Sequence, residues 1–184
     1  MKLPVIARQI THLTDARYFA ALEVDYLTYD LGDGPGAIDE LSYKAITEWV
    51  EGPKVLIENP PHRNFDAEVN YVFDYPLEVE EPDFVQLDFL QFKEQAMTQH
   101  PKGNYIIMLE EKEYPGAGLL KALTKYEGIA KFFFQSEDYP TTFIQFLIEQ
   151  FPLTGIVLKG SAEDKPGFKS YEDLDDLIEL LEVY

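Results

Sequence analysis

Seven residues close short apolar runs and carry side chains that could do chemistry: Arg8, Asp30, Glu58, Asp88, Glu110, Gln135 and Lys159. Four of them are carboxylates. Carboxylates crowded into a low-dielectric recess raise one another's pKa or recruit a cation. One reading is therefore a pocket for a cationic ligand, or for a hard metal held through oxygen. Gln86, two positions before Asp88, would line the same recess. A second reading makes Asp88 or Glu58 a general base and Lys159 an electrophile or fixed cation. The bland reading is ordinary solvated charge, or charge paired with Arg8 and Lys159. In all three, four carboxylates oppose an anionic substrate. His12, His62 and His100 fall in separate loops without ligand spacing, so no resident metal is expected, and no motif asks for a cofactor. The glycines Gly32, Gly34 and Gly36 lack the Lys-Ser/Thr that a phosphate loop requires.

Those residues need a scaffold, and the chain is long enough to supply one. Its 184 residues make a single domain over 1–184, and 14% aromatic content argues against disorder. With 34 acidic against 15 basic residues the formal charge is −19, which excludes a phosphate-neutralising nucleic-acid face. The absence of cysteine removes disulfides, thiolate metal sites and thiol chemistry. The strongest apolar runs, such as 105–109, are far shorter than the roughly 20 residues of a membrane span. The N-terminus lacks the apolar core of a signal peptide. The expectation is a cytoplasmic protein, monomer or homodimer, with a small molecule as partner.

Strand and helix signals alternate along the chain. Strands are expected at 5–10, 26–30, 54–58, 84–88, 105–110, 130–135 and 155–159. Helices are expected at 15–22 with Thr14 as cap, 38–51, 90–99, 118–126, from Pro140 to Phe151, and from Ser170 onward. Residues 64–81 are the least legible and could hold a helix around 67–73. The alternation, with nearly continuous apolar strands, indicates a parallel sheet covered on both faces. Seven strands leave two architectures. One is a compact (β/α)8 barrel at 23 residues per unit with one unit degraded. The other is an open doubly wound sheet.

Three segments separate these. Residues 7–16 (Ala-Arg-Gln-Ile-Thr-His-Leu-Thr-Asp-Ala), with Ala20-Ala21-Leu22-Glu23-Val24-Asp25-Tyr26-Leu27 behind them, resemble the opening of phosphoribosylanthranilate isomerases. There, strand 1 ends in Cys-Gly-Ile-Thr, an Asp-Ala pair starts helix 1, and Gly-Ala-Asp leads into strand 2. Phe84-Val85-Gln86-Leu87-Asp88 is similar to the family's Val-Gln-Leu-His strand 4. Gly155 to Glu163, with Pro166-Gly167-Phe168-Lys169, resembles its final strand and Ser-Gly-Val-Glu…Pro-Gly-x-Lys tail. The matches run in the family's order and imply a (β/α)8 barrel.

The resemblance implies a sugar isomerisation of tryptophan biosynthesis, an Amadori rearrangement. Its general base is the Cys closing strand 1, and its general acid is an Asp closing strand 6. Carried onto this chain, those positions are Arg8 and Gln135. Arg is permanently protonated, and Gln has no titratable proton. Each group in such catalysis supplies about 10²–10⁴-fold, so the resemblance implies a pseudoenzyme. The family's phosphate-binding Arg after strand 2 is replaced by Gly34-Pro35-Gly36, and no Gly-Gly turn follows strand 7. Gly160 and Ser161, offering backbone N–H groups, are the expected remnant of the phosphate site, with Lys159 beside them.

Overall fold

In the computed structural model the chain closes on itself as a barrel of eight parallel strands, in the order β1 to β8. The structure describes residues 3–62, 65, 69–74, 82–92, 102–109, 117–136, 139–151, 154–160 and 172–183. The strands are β1 (Val5–Arg8), β2 (Tyr26–Asp30), β3 (Lys54–Glu58), β4 (Asn70–Asp74), β5 (Phe84–Asp88), β6 (Gly103–Met108), β7 (Ala130–Gln135) and β8 (Gly155–Lys159). The described helices are α1 (Leu13–Ala21), α2 (Glu40–Thr47), the short α3 (Phe89–Gln91), α4 (Ala117–Tyr126), α5 (Thr141–Gln150) and α6 (Glu172–Val183). Parallel pairing of β1 with β8 closes the ring.

The eighth strand is present, and it is β4. It lies in the stretch expected to hold a helix around 67–73. Only Val72 is fully buried in it, so it lacks the continuous apolar run that marks the other strands. Two further boundaries differ from expectation. Strand β1 stops at Arg8 instead of residue 10, because Gln9 turns left-handed (φ 59°). Helix α1 begins at Leu13, so Thr14 lies inside it and His12 occupies the cap position. The expected helices at 90–99 and from Ser170 fall partly outside the described residues.

Two cores hold the fold. Outward-facing strand residues such as Val5, Leu27, Ile57, Val85, Ile107, Phe134 and Ile156 pack against the helices in one large cluster. Inside the ring a second cluster joins Ile6, Leu56, Val72, Phe84, Ile106, Phe133 and Val157. Inward residues of a barrel stack in layers drawn from alternate strands. The strand register builds four such layers. Ile6, Leu56, Phe84 and Phe133 form the lowest. Thr28, Val72, Ile106 and Val157 lie above it. Arg8, Glu58, Gln86 and Gln135, from the odd strands, come next and are wholly polar. Asp30, Asp74, Met108 and Lys159, from the even strands, form the rim. The barrel thus changes from hydrocarbon to polar between its second and third layers.

Candidate functional site at the barrel mouth

The polar layers line a cavity of about 260 Å³ at the C-terminal ends of the strands, the end that carries active sites in this architecture. Its walls include Arg8, Asp30, Glu58, Gln86, Gln135 and Lys159. Five of the seven strand-end positions expected from sequence, together with Gln86, therefore meet in one place. Gln9, Pro35, Gly36 and Met108 complete the described lining. Pro35 and Gly36 belong to the loop that stands where the resembled family keeps its Arg, whereas Gln9 and Met108 carry no charge or motif that would have marked them.

Arg8 organises the cavity. Its Nε donates to Glu58 Oε1 at 2.6 Å and its Nη2 to Glu58 Oε2 at 2.8 Å. Its Nη1 donates to Gln135 Oε1 at 2.6 Å. The planar guanidinium suits this two-pronged grip on a carboxylate. Arg8 and Glu58 are largely buried, with side chains 13% and 12% exposed. Each contact skips one strand, from β1 past β2 to β3 and from β1 past β8 to β7. A layer of alternate strands makes this reach possible.

The other lining groups are held individually. Asp30 Oδ1 accepts the Gly32 N–H at 2.8 Å and Asn59 Nδ2 at 3.0 Å, which folds the glycine-rich loop over the cavity edge. Gly32 is required there, since a Cβ would sit 2.9 Å from Asn59 Cβ. Gln86 Nε2 donates to Asp74 Oδ1 at 3.2 Å, while Gln86 Oε1 is buried without a partner. Lys159, beside Arg8 in the β1–β8 register, makes no ion pair among the described residues.

Several expected placements change. Asp88 does not line the cavity. Its carboxylate accepts the Gln91 N–H at 2.8 Å while Gln91 Oε1 accepts the Asp88 N–H at 3.0 Å, a capping box that starts α3. Gln135 closes the seventh strand, because β4 adds one to the count. The sixth strand closes on Met108, so Gln135 does not end the strand at which it was expected. The same shift makes 84–88 the fifth strand instead of the fourth. Gly160 does not offer its N–H to a ligand, because that group donates to Arg8 O at 2.9 Å. A Cβ at Gly160 would approach Gln9 O to 3.0 Å, so the glycine serves this close crossing. Glu110 and Ser161 lie outside the described residues. Asp88 has turned away and Glu58 is matched by Arg8. Among the described residues no three His, Asp or Glu side chains gather where they could hold a metal.

A larger cavity of about 520 Å³ opens at the opposite, N-terminal end, between Asp25, Tyr26, Asn104, Lys131 and Phe133. That end of such a barrel serves stability, and its groups do not converge as those of the mouth do. No described helix is long and apolar enough to cross a membrane.

Comparison with known proteins agrees with this architecture. No family model and no curated protein matches the chain. Solved structures do. TrpF from Jonesia denitrificans superposes with a TM-score of 0.66 at 9% identity, over 97% of this chain and 96% of that one. The phosphoribosyl anthranilate isomerase of Thermus thermophilus gives 0.60 at 18% identity, over 97% and 98%. Monomers generated from the dimeric isomerase of Thermotoga maritima give 0.54 at 12% identity, over 99% and 100%. An isomerase in complex with reduced 1-(o-carboxyphenylamino)-1-deoxyribulose 5-phosphate gives 0.54 at 12% identity. The chain has the closed eight-stranded barrel fold of the phosphoribosylanthranilate isomerases along essentially its whole length.

Proposed function

We propose that this chain is a divergent member of the phosphoribosylanthranilate isomerase family that has lost the isomerisation and kept a small-molecule pocket at the barrel mouth. The observation that carries this reading is the fixed Arg8 side chain. It points into the cavity from the end of β1, where the resembled family keeps its general base, and Glu58 and Gln135 hold it there. A guanidinium accepts no proton at any accessible pH. Glu58 does not replace it, since both its oxygens face Arg8. Neither Gln135 nor Met108 can act as the acid.

The protein is read as cytoplasmic, a monomer or homodimer, working without a cofactor. The test is an assay of purified protein with freshly generated phosphoribosylanthranilate, supported by genetic rescue of a tryptophan auxotroph. Substrate loss at the uncatalysed rate and no rescue are expected. Turnover above the blank that disappears on Arg8→Met would overturn the reading.

A further inference from the structure

Where a strand ends at the mouth, the next residue's N–H reaches across to the neighbouring strand. Leu31 N–H donates to Glu58 O, Leu109 N–H to Gln135 O and Gly160 N–H to Arg8 O, each at 2.9 Å. In each case the acceptor is the residue paired with the last strand residue: Glu58 with Asp30, Gln135 with Met108, Arg8 with Lys159. Gln135 is paired with Val157, so the same rule directs Ser136 N–H to Val157 O. At this seam, between β7 and β8, the Tyr139 hydroxyl enters the rung. Its Oη accepts the Ser136 N–H at 3.2 Å and lies 2.6 Å from Val157 O and 2.7 Å from Phe134 O. A phenol carries one proton, so it donates to one of these carbonyls at a time while accepting from Ser136.

The hydroxyl is delivered by rigid parts of the fold. Pro140 follows Tyr139 and occupies the N-cap of α5, which restricts Tyr139 to extended backbone. Helix α5 is anchored by buried Phe143, Ile144 and Leu147. Phe143 packs edge-on against Phe134 with ring centroids 5.8 Å apart, which holds the helix to the strand that Tyr139 serves. The groups that Tyr139 touches on the β7 side, Phe134 O and Ser136 N–H, flank Gln135. Gln135 in turn accepts Arg8 Nη1 at 2.6 Å inside the cavity.

We propose that Tyr139 is a positioning residue of the mouth: by fixing the peptide groups on either side of Gln135, it sets Gln135 Oε1 where Arg8 Nη1 meets it. Glu58 holds Arg8 from the other side through Nε and Nη2, so Tyr139 governs one of the guanidinium's two holds and not the other. This deepens the pocket reading above and rests on it for what the cavity serves. Its test reads Arg8 without ligand, so it can fail while that reading stands.

Hydrogen exchange of the Arg8 guanidinium in the full chain, read by nuclear magnetic resonance, tests the proposal. Tyr139→Phe keeps the ring and removes the hydroxyl. It should speed exchange of the Arg8 Nη1 protons about tenfold, the order that one hydrogen bond to a charged group is worth. It should leave Nε–H, held by Glu58, at the parent's rate. Gln135→Leu should speed Nη1 exchange by at least as much, and adding Tyr139→Phe to it should change nothing further. Unchanged Nη1 exchange in Tyr139→Phe, whatever the effect on stability, would overturn the proposal and leave Tyr139 a staple between strands. Equal acceleration at Nη1 and Nε would overturn it too, as would a further gain in the Gln135→Leu background. In the unmutated chain a nuclear Overhauser contact between the Tyr139 ring and the Ser136 N–H is expected, and its absence overturns the proposal whether or not the variant folds.

Discussion

Arg8 and Glu58 meet across β2 through two parallel hydrogen bonds, 2.6 and 2.8 Å long, inside the ring of strands. The pair is largely buried, with side chains 13% and 12% exposed. Removing one partner strands the other in a poorly hydrated layer. Arg8→Met should therefore destabilise the protein by about 3 kcal/mol, the order found for broken buried pairs. The double change Arg8→Met with Glu58→Leu should recover most of that loss, because neither charge is left alone. Urea unfolding of the three proteins measures both effects. A single variant as stable as the parent would mean that the pair is solvated and does not order the mouth.

Asp88 separates the ligand-binding account from one in which the strand-end carboxylates are catalytic. Its carboxylate caps α3 and does not reach the cavity. Asp88→Ala should cost about 1 kcal/mol of stability through the lost cap. It should leave the amide shifts of Arg8, Gln86 and Lys159 unchanged. Altered shifts there without altered stability would contradict this placement.

The residues that made the fold legible were those with apolar continuity. Lys54–Glu58, Phe84–Asp88 and Gly155–Lys159 read as buried strands because both of their faces are covered. Strand β4 did not, since Asn70, Tyr71, Phe73 and Asp74 are only partly buried or exposed around the single buried Val72. That one hidden strand displaced Gln135 from the sixth position to the seventh. The mouth was legible as a set of strand ends. Its pairing was not, because whether a carboxylate turns inward as Glu58 does, or outward to cap a helix as Asp88 does, depends on the following three residues and on the register across the ring. The left-handed Gln9, which ends β1 directly after Arg8, has no sequence signal of the kind a glycine gives.

Gly155 is required by packing at the start of β8. A Cβ there would lie 2.4 Å from Phe133 Cδ1 and 2.6 Å from Pro4 O. The ring belongs to the inner aromatic group in which Phe133 meets Phe84 at 5.8 Å and Tyr26 at 6.0 Å, and the oxygen is backbone, so neither yields readily. Gly155→Ala should destabilise by about 2 kcal/mol. A variant unfolding at the parent's urea midpoint would show that the ring can move aside.

Alkaline pH should weaken the fold. Burial pushes the Tyr105 phenol up to about 12 from 10.0. Tyr18 is pushed up to about 12 by burial and by Asp175 beside it. Tyr29 is also raised, chiefly by burial beneath α2 and further by Tyr43. Between the unfolded and native pKa values the native state holds more protons, so unfolding free energy falls as pH rises. Stability should be intact below pH 10 and decline between about 10 and 12. Denaturant midpoints across that range, with tyrosinate absorbance followed alongside, check it. Flat midpoints up to pH 12 would contradict the burial of these phenols.

The central claim is that no proton acceptor remains where the isomerisation needs one. Phosphoribosylanthranilate, generated in place and followed by the loss of its fluorescence, tests it most directly. The account predicts decay at the buffer rate for the parent protein and for Glu58→Gln alike. Enzyme-dependent decay that Glu58→Gln abolishes would show that Glu58 does the work of a base despite its grip on Arg8, and would contradict the account.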